Sequence, residues 1–480
     1  MHHRAIALAS AVLSGCAAQD LRGAWMREVL VDADRSFLSR EPALVAYKYR
    51  EMSAGPYPFL RGSLPWYCAL LTRPEADRAR TAFLQVPEAT SVLLIGDPHP
   101  ENLSTQRPDP THDEPSPPQS VEFIDLDAAT WGPWTFDLRR AALGLRALAH
   151  QAGACEGACG ERAVEALALA YAAQIEGRPP PPARGRVLEA LLAEAREEGP
   201  EQRRTVQRTA WLDPQTGAPT GPDEGERVLV RAGPRGEIDA GLTDLVPSEA
   251  ALLEQVIAGM GESLPPDLRV LDATRRYGAG VSSLPALRFA LLVDRGDPGP
   301  EDDALLTVRE VLDPPAALPG RATHSPGSFA DNADRVNVAA DHLWSRADND
   351  ALRAGACVGA QCFKSLSWTS WFQDVERDDV AEDVAAVDLI DADFVDLGRD
   401  VGRLLAAEHR RGLRSDGGDP GAAIRRDLTA GGGETVLAAE LVELAEADLA
   451  QLQADHRLFV RLLREHGPLL GATDREEHTP

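Results

Sequence analysis

Ile95-Gly96-Asp97-Pro98-His99-Pro100-Glu101-Asn102 and, further on, Phe123-Ile124-Asp125-Leu126-Asp127 decide how this chain is read. Each is the end of an apolar run that turns abruptly acidic. Val92 to Ile95 and Val121 to Leu126 have the composition of buried strands, so the Asp and Asn side chains emerge at strand ends. Folds of the α/β and α+β classes commonly place their chemistry there. An Asp with an Asn five residues on, and another Asp 23 residues beyond that Asn, suits metal-assisted phosphoryl transfer. One carboxylate orients and deprotonates a hydroxyl, while an amide and a second carboxylate hold magnesium against phosphates. The plain alternative is two strand-to-loop turns built from Asp, Pro and Asn.

The second stretch runs on through Gly132-Pro133-Trp134 to Asp137-Leu138-Arg139-Arg140. With the 96–102 loop, it resembles the catalytic segment of the aminoglycoside phosphotransferase and choline kinase group. There Gly-Asp-x-His-x-x-Asn precedes Ile-Asp-Phe. That resemblance implies Asp97 as catalytic base, Asn102 and Asp125 as catalytic metal ligands, Asp127 as a further metal-side carboxylate, and Asp137 as the cap of a helix and brace of the loop. A bacterial domain-of-unknown-function family, number 2252, is resembled over a longer span, roughly residues 40 to 412. Its elements read here as Arg50 with Met52, Pro56 to Gly62, the 96–102 loop, Asp125 with Asp127, and the Gly132 to Arg140 run. Farther on, Arg276 to Ser283 resembles its Gly-rich element, Leu306 to Glu310 its Val-Lys-Glu strand, and Leu404 to Arg410 its Leu-Ala-x-x-His helix.

These resemblances imply an α+β fold with a protein-kinase-like two-lobe architecture. Gly278, Gly280, Ser282, Arg309 and Glu310 would then face a nucleotide, with Mg²⁺ beside it. Two features depart from the kinase pattern. The Gly-rich element follows the catalytic loop instead of preceding it, which implies a permuted order. Arg309 stands where the strand lysine belongs; it keeps the charge but not the compact point-charge geometry. The chain has only two lysines, Lys48 and Lys364. Lys364, in Cys362-Phe363-Lys364-Ser365-Leu366-Ser367-Trp368, reads either as part of a half-buried strand or as a pocket wall with one cation. Gly278-x-Gly280 reads equally as an ordinary hairpin turn. His99 reads as a loop hydrogen-bonding residue, because kinase-like sites need no imidazole.

Residues 1–15 have the form of a lipoprotein signal peptide, with a basic start, a short apolar run and Leu13-Ser14-Gly15-Cys16. Cys16 would be the lipidated residue, and Ala17 after it favours the periplasmic face of the outer membrane. No later stretch approaches the ~20 apolar residues of a spanning helix, so the membrane link would be the lipid alone. Cys155 with Cys159, and Cys357 with Cys362, can each close a small loop in an oxidising compartment, leaving Cys68 single. A zinc site is disfavoured by the wide separation of the pairs and the lack of a His cluster.

The 480 residues are 44% hydrophobic, enough for a large core. The net charge of −27 opposes nucleic acid and anionic headgroups as partners. A phosphate site must therefore be built locally, from Arg and metal. The expected segments are an anchor and N-terminal helix (16–45), a catalytic-loop segment (46–185), a Gly-rich, small-lobe-like segment (186–325), a mainly helical segment (326–471) and a tail (472–480). Helices are expected at 21–43, from Asp137 onward, and at 161–176, 185–211, 329–348, 394–412 and 435–466. A strand-rich section spans about 268–312. The function expected is an exported lipoprotein with Mg-dependent phosphoryl transfer to a small acceptor. One alternative is an inactive kinase-like envelope protein that binds a metal or phosphorylated ligand. Another is a metal-dependent hydrolase using Asp97, Asp125 and Asp127. Nucleoside triphosphates are scarce outside the cytoplasm, which sets export against nucleotide use.

Overall fold

The computed structural model describes residues 20–72, 91–106, 120–178, 184–197, 202–222, 224–231, 241–278, 280–296, 302–317, 329–346, 350–369 and 371–472. The signal segment, Cys16, Ala279 and nearly all of the 472–480 tail lie outside the described residues. The fold mixes helix and sheet in the α+β manner.

Four short strands frame the acidic loops: β1 (Ser91–Leu94), β2 (Leu103–Thr105), β3 (Val121–Phe123) and β4 (Thr130–Pro133). β1 pairs with β4 and β2 with β3, both antiparallel. A hairpin follows, of β5 (Thr209–Leu212) and β6 (Glu226–Leu229). Then β7 (Leu242–Thr243), β8 (Arg269–Arg276), β9 (Arg288–Asp294), β10 (Ala304–Glu310), β11 (Ala354–Val358) and β12 (Gln361–Ser367) form a six-stranded antiparallel sheet. Its order is β11-β12-β10-β9-β8-β7.

Successive side chains on a strand point to opposite faces. Phe289, Leu291, Val293, Leu306, Val308 and Phe363 pack against Leu253, Val256 and Met260 of the helix Pro247–Met260. The other face carries Ala290, Leu292 and Leu305, packed with Leu229 and Trp368. The same alternation puts Arg288, Arg309 and Lys364 on that second face, turned from the covering helix toward the acidic loops.

The helical body is built on Trp134–Ala152, which is buried along nearly its whole length. Around it lie Ala158–Ile175, Asp391–Arg411 and Glu434–His466. Asp391–Arg411 approaches Ala158–Ile175 unusually closely. A Cβ at Gly398 or Gly402 would lie 2.2 or 2.1 Å from the carbonyl oxygens of Ala163 and Leu167. Among the described residues, no helix is long and apolar enough to cross a membrane.

Several expected elements are redrawn. The single helix expected over 21–43 is interrupted at Asp34 and Glu41; Pro42, which has no N–H to continue a helix, instead starts the next one, Pro42–Ser53. The 185–211 run resolves into Arg186–Glu197 and Gln202–Arg208, with Thr209 opening β5. The helix expected over 329–348 is Asn332–Leu343, capped by the Asp331 side chain. The helix expected from Asp137 begins at Trp134. β11 and β12 come from the segment expected to be mainly helical, so the large sheet draws on both sides of residue 326.

Both cysteine pairs are bonded, Cys155 to Cys159 and Cys357 to Cys362, and Cys68 is buried and free. The second bond joins facing residues of β11 and β12. Replacing Cys357 and Cys362 together by Ser removes a short-loop constraint of roughly 2 kcal/mol. A lower urea midpoint for the double variant is the expected result, with the reduced wild type, which also loses the Cys155–Cys159 bond, at or below it; an unchanged midpoint would contradict it.

Candidate functional site

The 95–102 loop is held from behind by Asp137. Its carboxylate accepts from the backbone N–H of Ile95 (2.8 Å) and Gly96 (3.0 Å) and meets His409 Nε2 at 3.1 Å. The other imidazole nitrogen, Nδ1, meets the Tyr171 hydroxyl at 2.8 Å. Gly96 has φ +90°, and a Cβ there would lie 2.2 Å from the Ala128 carbonyl oxygen, so the chain turns where a side chain would collide. Asn102 closes the loop by donating from Nδ2 to the Asp97 carbonyl (2.7 Å). The Ile124 N–H then donates to the Asn102 carbonyl (3.0 Å), which seats the second acidic turn beside the first.

Asp97 Oδ1 accepts from Arg140 Nε (2.7 Å), and the Arg140 guanidinium also donates to the Leu60 carbonyl (2.8 Å). The Asp97 side chain is only 11% exposed. Burial pushes its carboxyl up from the ordinary value, against the pull of Arg140. His99 is buried beside it, with Nε2 at 3.9 Å from Asp97 Oδ2 and, among the described residues, Nδ1 without a hydrogen-bond partner. Burial, and then the neighbouring Arg61, hold the imidazole well below its usual range, so it is neutral.

The second turn meets the large sheet through charge. Arg309 contacts Asp125 (2.6 Å) and Asp127 (3.0 Å), and Lys364 contacts the other Asp127 oxygen (2.9 Å). Arg309 and Lys364 are paired residues on β10 and β12. Burial alone would push the Asp125 carboxyl up. Arg309 first and Lys364 next outweigh that, and hold it below the carboxylate range. Lys364 is itself lowered, by burial and then by Arg309. Arg335 anchors the far end of the turn, donating to the carbonyls of Ala129 (2.6 Å) and Leu312 (2.8 Å).

These groups open onto one cavity of about 280 Å³. Among the described residues, its wall carries seven cations: Arg61, Arg204, Arg276, Arg288, Arg309, Arg346 and Lys364. Four carboxylates stand against them: Glu101, Asp125, Asp350 and Asp374. In a chain of net charge −27 this is a local excess of positive charge. Arg61 is already paired with Glu101 (2.9 Å) at the rim.

Of the residues expected from sequence, Asn102, Asp125, Gly280 and Arg309 line this cavity, and Asp127 lies directly behind Asp125. Asp97 lies one layer back, against Arg140. Gly278 is exposed at the turn, and Ser283 rather than Ser282 reaches the wall. Glu310 does not join them. It points to the opposite face of β10, accepting from Arg40 (2.8 Å), Gln361 (3.1 Å) and the Leu287 N–H (3.0 Å), because neighbouring strand residues alternate in direction. Arg140, Arg276 and Arg288 carry parts that sequence reasoning did not assign. Arg140 was visible within the Asp-Leu-x-Arg motif. Lys364 was signalled by the scarcity of lysine alone.

Asp137→Ala leaves two backbone donors and an imidazole without their acceptor, and should cost roughly 3 kcal/mol in urea unfolding. The His99 pKa is depressed from 6.5 in the folded chain, so its contribution to stability is complete above that value and lost as pH falls below it. The thermal midpoint should drop between pH 7 and pH 5.5, and His99→Gln should flatten that slope; an equal slope would contradict it.

Comparisons with curated proteins and with solved structures find no match. The model of a family described as "Uncharacterized protein conserved in bacteria" (DUF2252) matches residues 40–462. That span holds both acidic loops, the cation-bearing strands and the Asp137–His409 brace, and the chain belongs to the DUF2252 family.

Proposed function

We propose that the cavity is a kinase-like phosphotransferase site, which binds a phosphorylated donor and passes one phosphoryl group to a small hydroxyl or amine. The supporting observation is that Asn102, Asp125, Gly280, Arg309 and Lys364, from five separate stretches of chain, meet around one cation-rich space. In this reading the six-stranded sheet is the phosphate-covering lobe and the helical body the other, in permuted order. Lys364 supplies the compact charge that Arg309 lacks, one strand over from the expected position.

Arg140 fixes one Asp97 oxygen, so the other is the atom that takes the acceptor's proton as the new O–P or N–P bond forms. The electron pair of the breaking P–O bond leaves with the donor. Arg309 and Lys364 balance charge on the transferring group, and positioning supplies the remaining rate. Asn102 spends its Nδ2 on the Asp97 carbonyl, which leaves Oδ1 free to serve as a ligand atom on the wall; with Asp125 and Asp127 it would make up the hard oxygen set that suits Mg²⁺. There the ion would supply neutralisation of phosphate charge.

A second reading is a binding protein without turnover. It is favoured by the ion pairs that already engage Asp125 and both Asp127 oxygens, which a metal must displace. The two bonded cysteine pairs support export to an oxidising compartment. If export is lipid-anchored, Cys16→Ser should release the protein from membrane fractions.

Thermal midpoints of the purified chain with ATP, GTP and Mg²⁺ test binding, and phosphate release or transfer tests turnover. Asp97→Asn should lower turnover on the order of 10²- to 10⁴-fold while leaving donor binding within a few-fold. Undiminished turnover in that variant removes Asp97 as base. Binding with no turnover for any acceptor favours the second reading.

A further inference from the structure

Four cations form a row across neighbouring strands of the large sheet. Lys364 on β12 faces Arg309 on β10, and Arg309 faces Arg288 on β9. The pairing of Arg275 with Phe289 puts Arg276 on β8 opposite Arg288, one step farther along the antiparallel register. The row spans three strand spacings, roughly 14 Å.

The two ends of this row differ. At one end, Asp125 and Asp127 neutralise Arg309 and Lys364. At the other end, the contacts of Arg276 and Arg288 among the described residues are with neutral groups. Arg276 meets Thr307 Oγ1 (3.4 Å) and lies over the Trp368 ring (4.1 Å). Arg288 donates to Ser283 Oγ (3.2 Å). Neither makes an ion pair there, although both line the cavity. Like charges directly opposite on paired strands oppose folding. The crowding shows in their acidity: burial, then neighbouring arginines, push Arg276 down to about 10 and Arg288 to about 9. Asp374 acts on Arg276, and Asp125 and Asp127 on Arg288, from beyond ion-pair distance; two half-buried guanidinium groups without a paired carboxylate among the described residues make an anion receptor. They lie beyond the Asp125 and Asp127 end, so the charge that completes them belongs to a different part of the ligand.

We propose that Arg276 and Arg288 receive a second phosphoryl group, so that the cavity takes a condensed phosphate chain and balances the charge of that group with side chains. This rests on the reading of the cavity as a phosphate site, and does not require turnover. The chain is an oligophosphate, free or carried by a nucleotide. The Gly280 turn, with φ +75°, leaves the cavity edge beside Ser283 without a side chain, where a ligand can approach the backbone.

Calorimetric titration of the full chain decides it, using sodium tripolyphosphate, orthophosphate and ATP, each in EDTA and in Mg²⁺. Tripolyphosphate should bind in EDTA at least tenfold tighter than orthophosphate. Arg276→Gln and Arg288→Gln should each weaken tripolyphosphate about tenfold, as loss of a charge-assisted contact implies, and leave orthophosphate within twofold. Arg288→Lys should recover part of the loss. Because each Gln variant removes a crowded charge, its ligand-free thermal midpoint should not fall. Equal affinity of wild-type protein for the two phosphates, binding seen only with Mg²⁺, or Gln variants that bind tripolyphosphate normally would each overturn the proposal. ATP bound more tightly than tripolyphosphate, with the same arginine dependence, assigns the chain to a nucleotide; equal affinity assigns it to free polyphosphate. Tripolyphosphate binding without any transfer leaves this inference standing and removes the phosphotransferase reading.

Discussion

The Asp137 carboxylate is the constraint on which the site is assembled. It is fully buried, and it takes two backbone N–H groups from the loop after β1 and one imidazole from the Asp391–Arg411 helix. A single acidic side chain thus joins a strand end, the first turn of the central helix and a helix distant in sequence. The turn at Gly96 is possible only because that anchor fixes the backbone where no side chain fits. Asp97 and Asn102 then inherit their positions from a backbone that cannot drift. Arg140, one helical turn beyond Asp137 on the same helix, sets the Asp97 carboxylate itself. Loop and helix are one construction, with the acidic residues of the loop pointed outward by the polar residues of the helix.

The second constraint is the alternation of the six-stranded sheet. The central strands β9 and β10 bury one apolar set against Pro247–Met260 and turn the other face toward the acidic loops. A one-residue slip of β10 would put Arg309 into the apolar layer and Val308 against Asp125, so the register is held by hydrophobicity on one side and by ion pairing on the other. The overall charge of −27 makes the result informative. Against that net charge, six arginines and one lysine share one wall among the described residues, and their field reaches only a short range in salt.

What the sequence made legible follows from how local each signal is. Asp97, Asn102, Asp125 and Asp127 lie in two short stretches whose apolar-to-acidic switch is visible without any knowledge of folding. The helices at Ala158–Ile175, Asp391–Arg411 and Glu434–His466 carry enough apolar periodicity to be read directly. The missed parts depend on pairing between distant strands. Lys364 belongs to the site only because β12 lies beside β10, a neighbour from another region of the chain. Arg276 and Arg288 flank a glycine turn that looks like any hairpin until their shared face is known. Glu310 was grouped with Arg309 by adjacency in sequence, and adjacency in a strand means opposite faces. Arg140 shows the reverse case, a residue inside a recognised motif whose partner, Asp97, lies 43 positions away.

The distance along the chain between the acidic turn and its cations bears on how the protein reaches this state. Arg309 meets Asp125 across 184 residues, and Lys364 arrives later still. During synthesis the carboxylates therefore emerge long before the side chains that neutralise them. Contacts of such long range form slowly, because loop closure precedes any return from the contact. The cavity is thus among the last features to mature, and an unfinished chain presents an acidic turn without its cations. The cation-rich wall is in effect a property of the completed chain, acquired when the final strands of the large sheet dock.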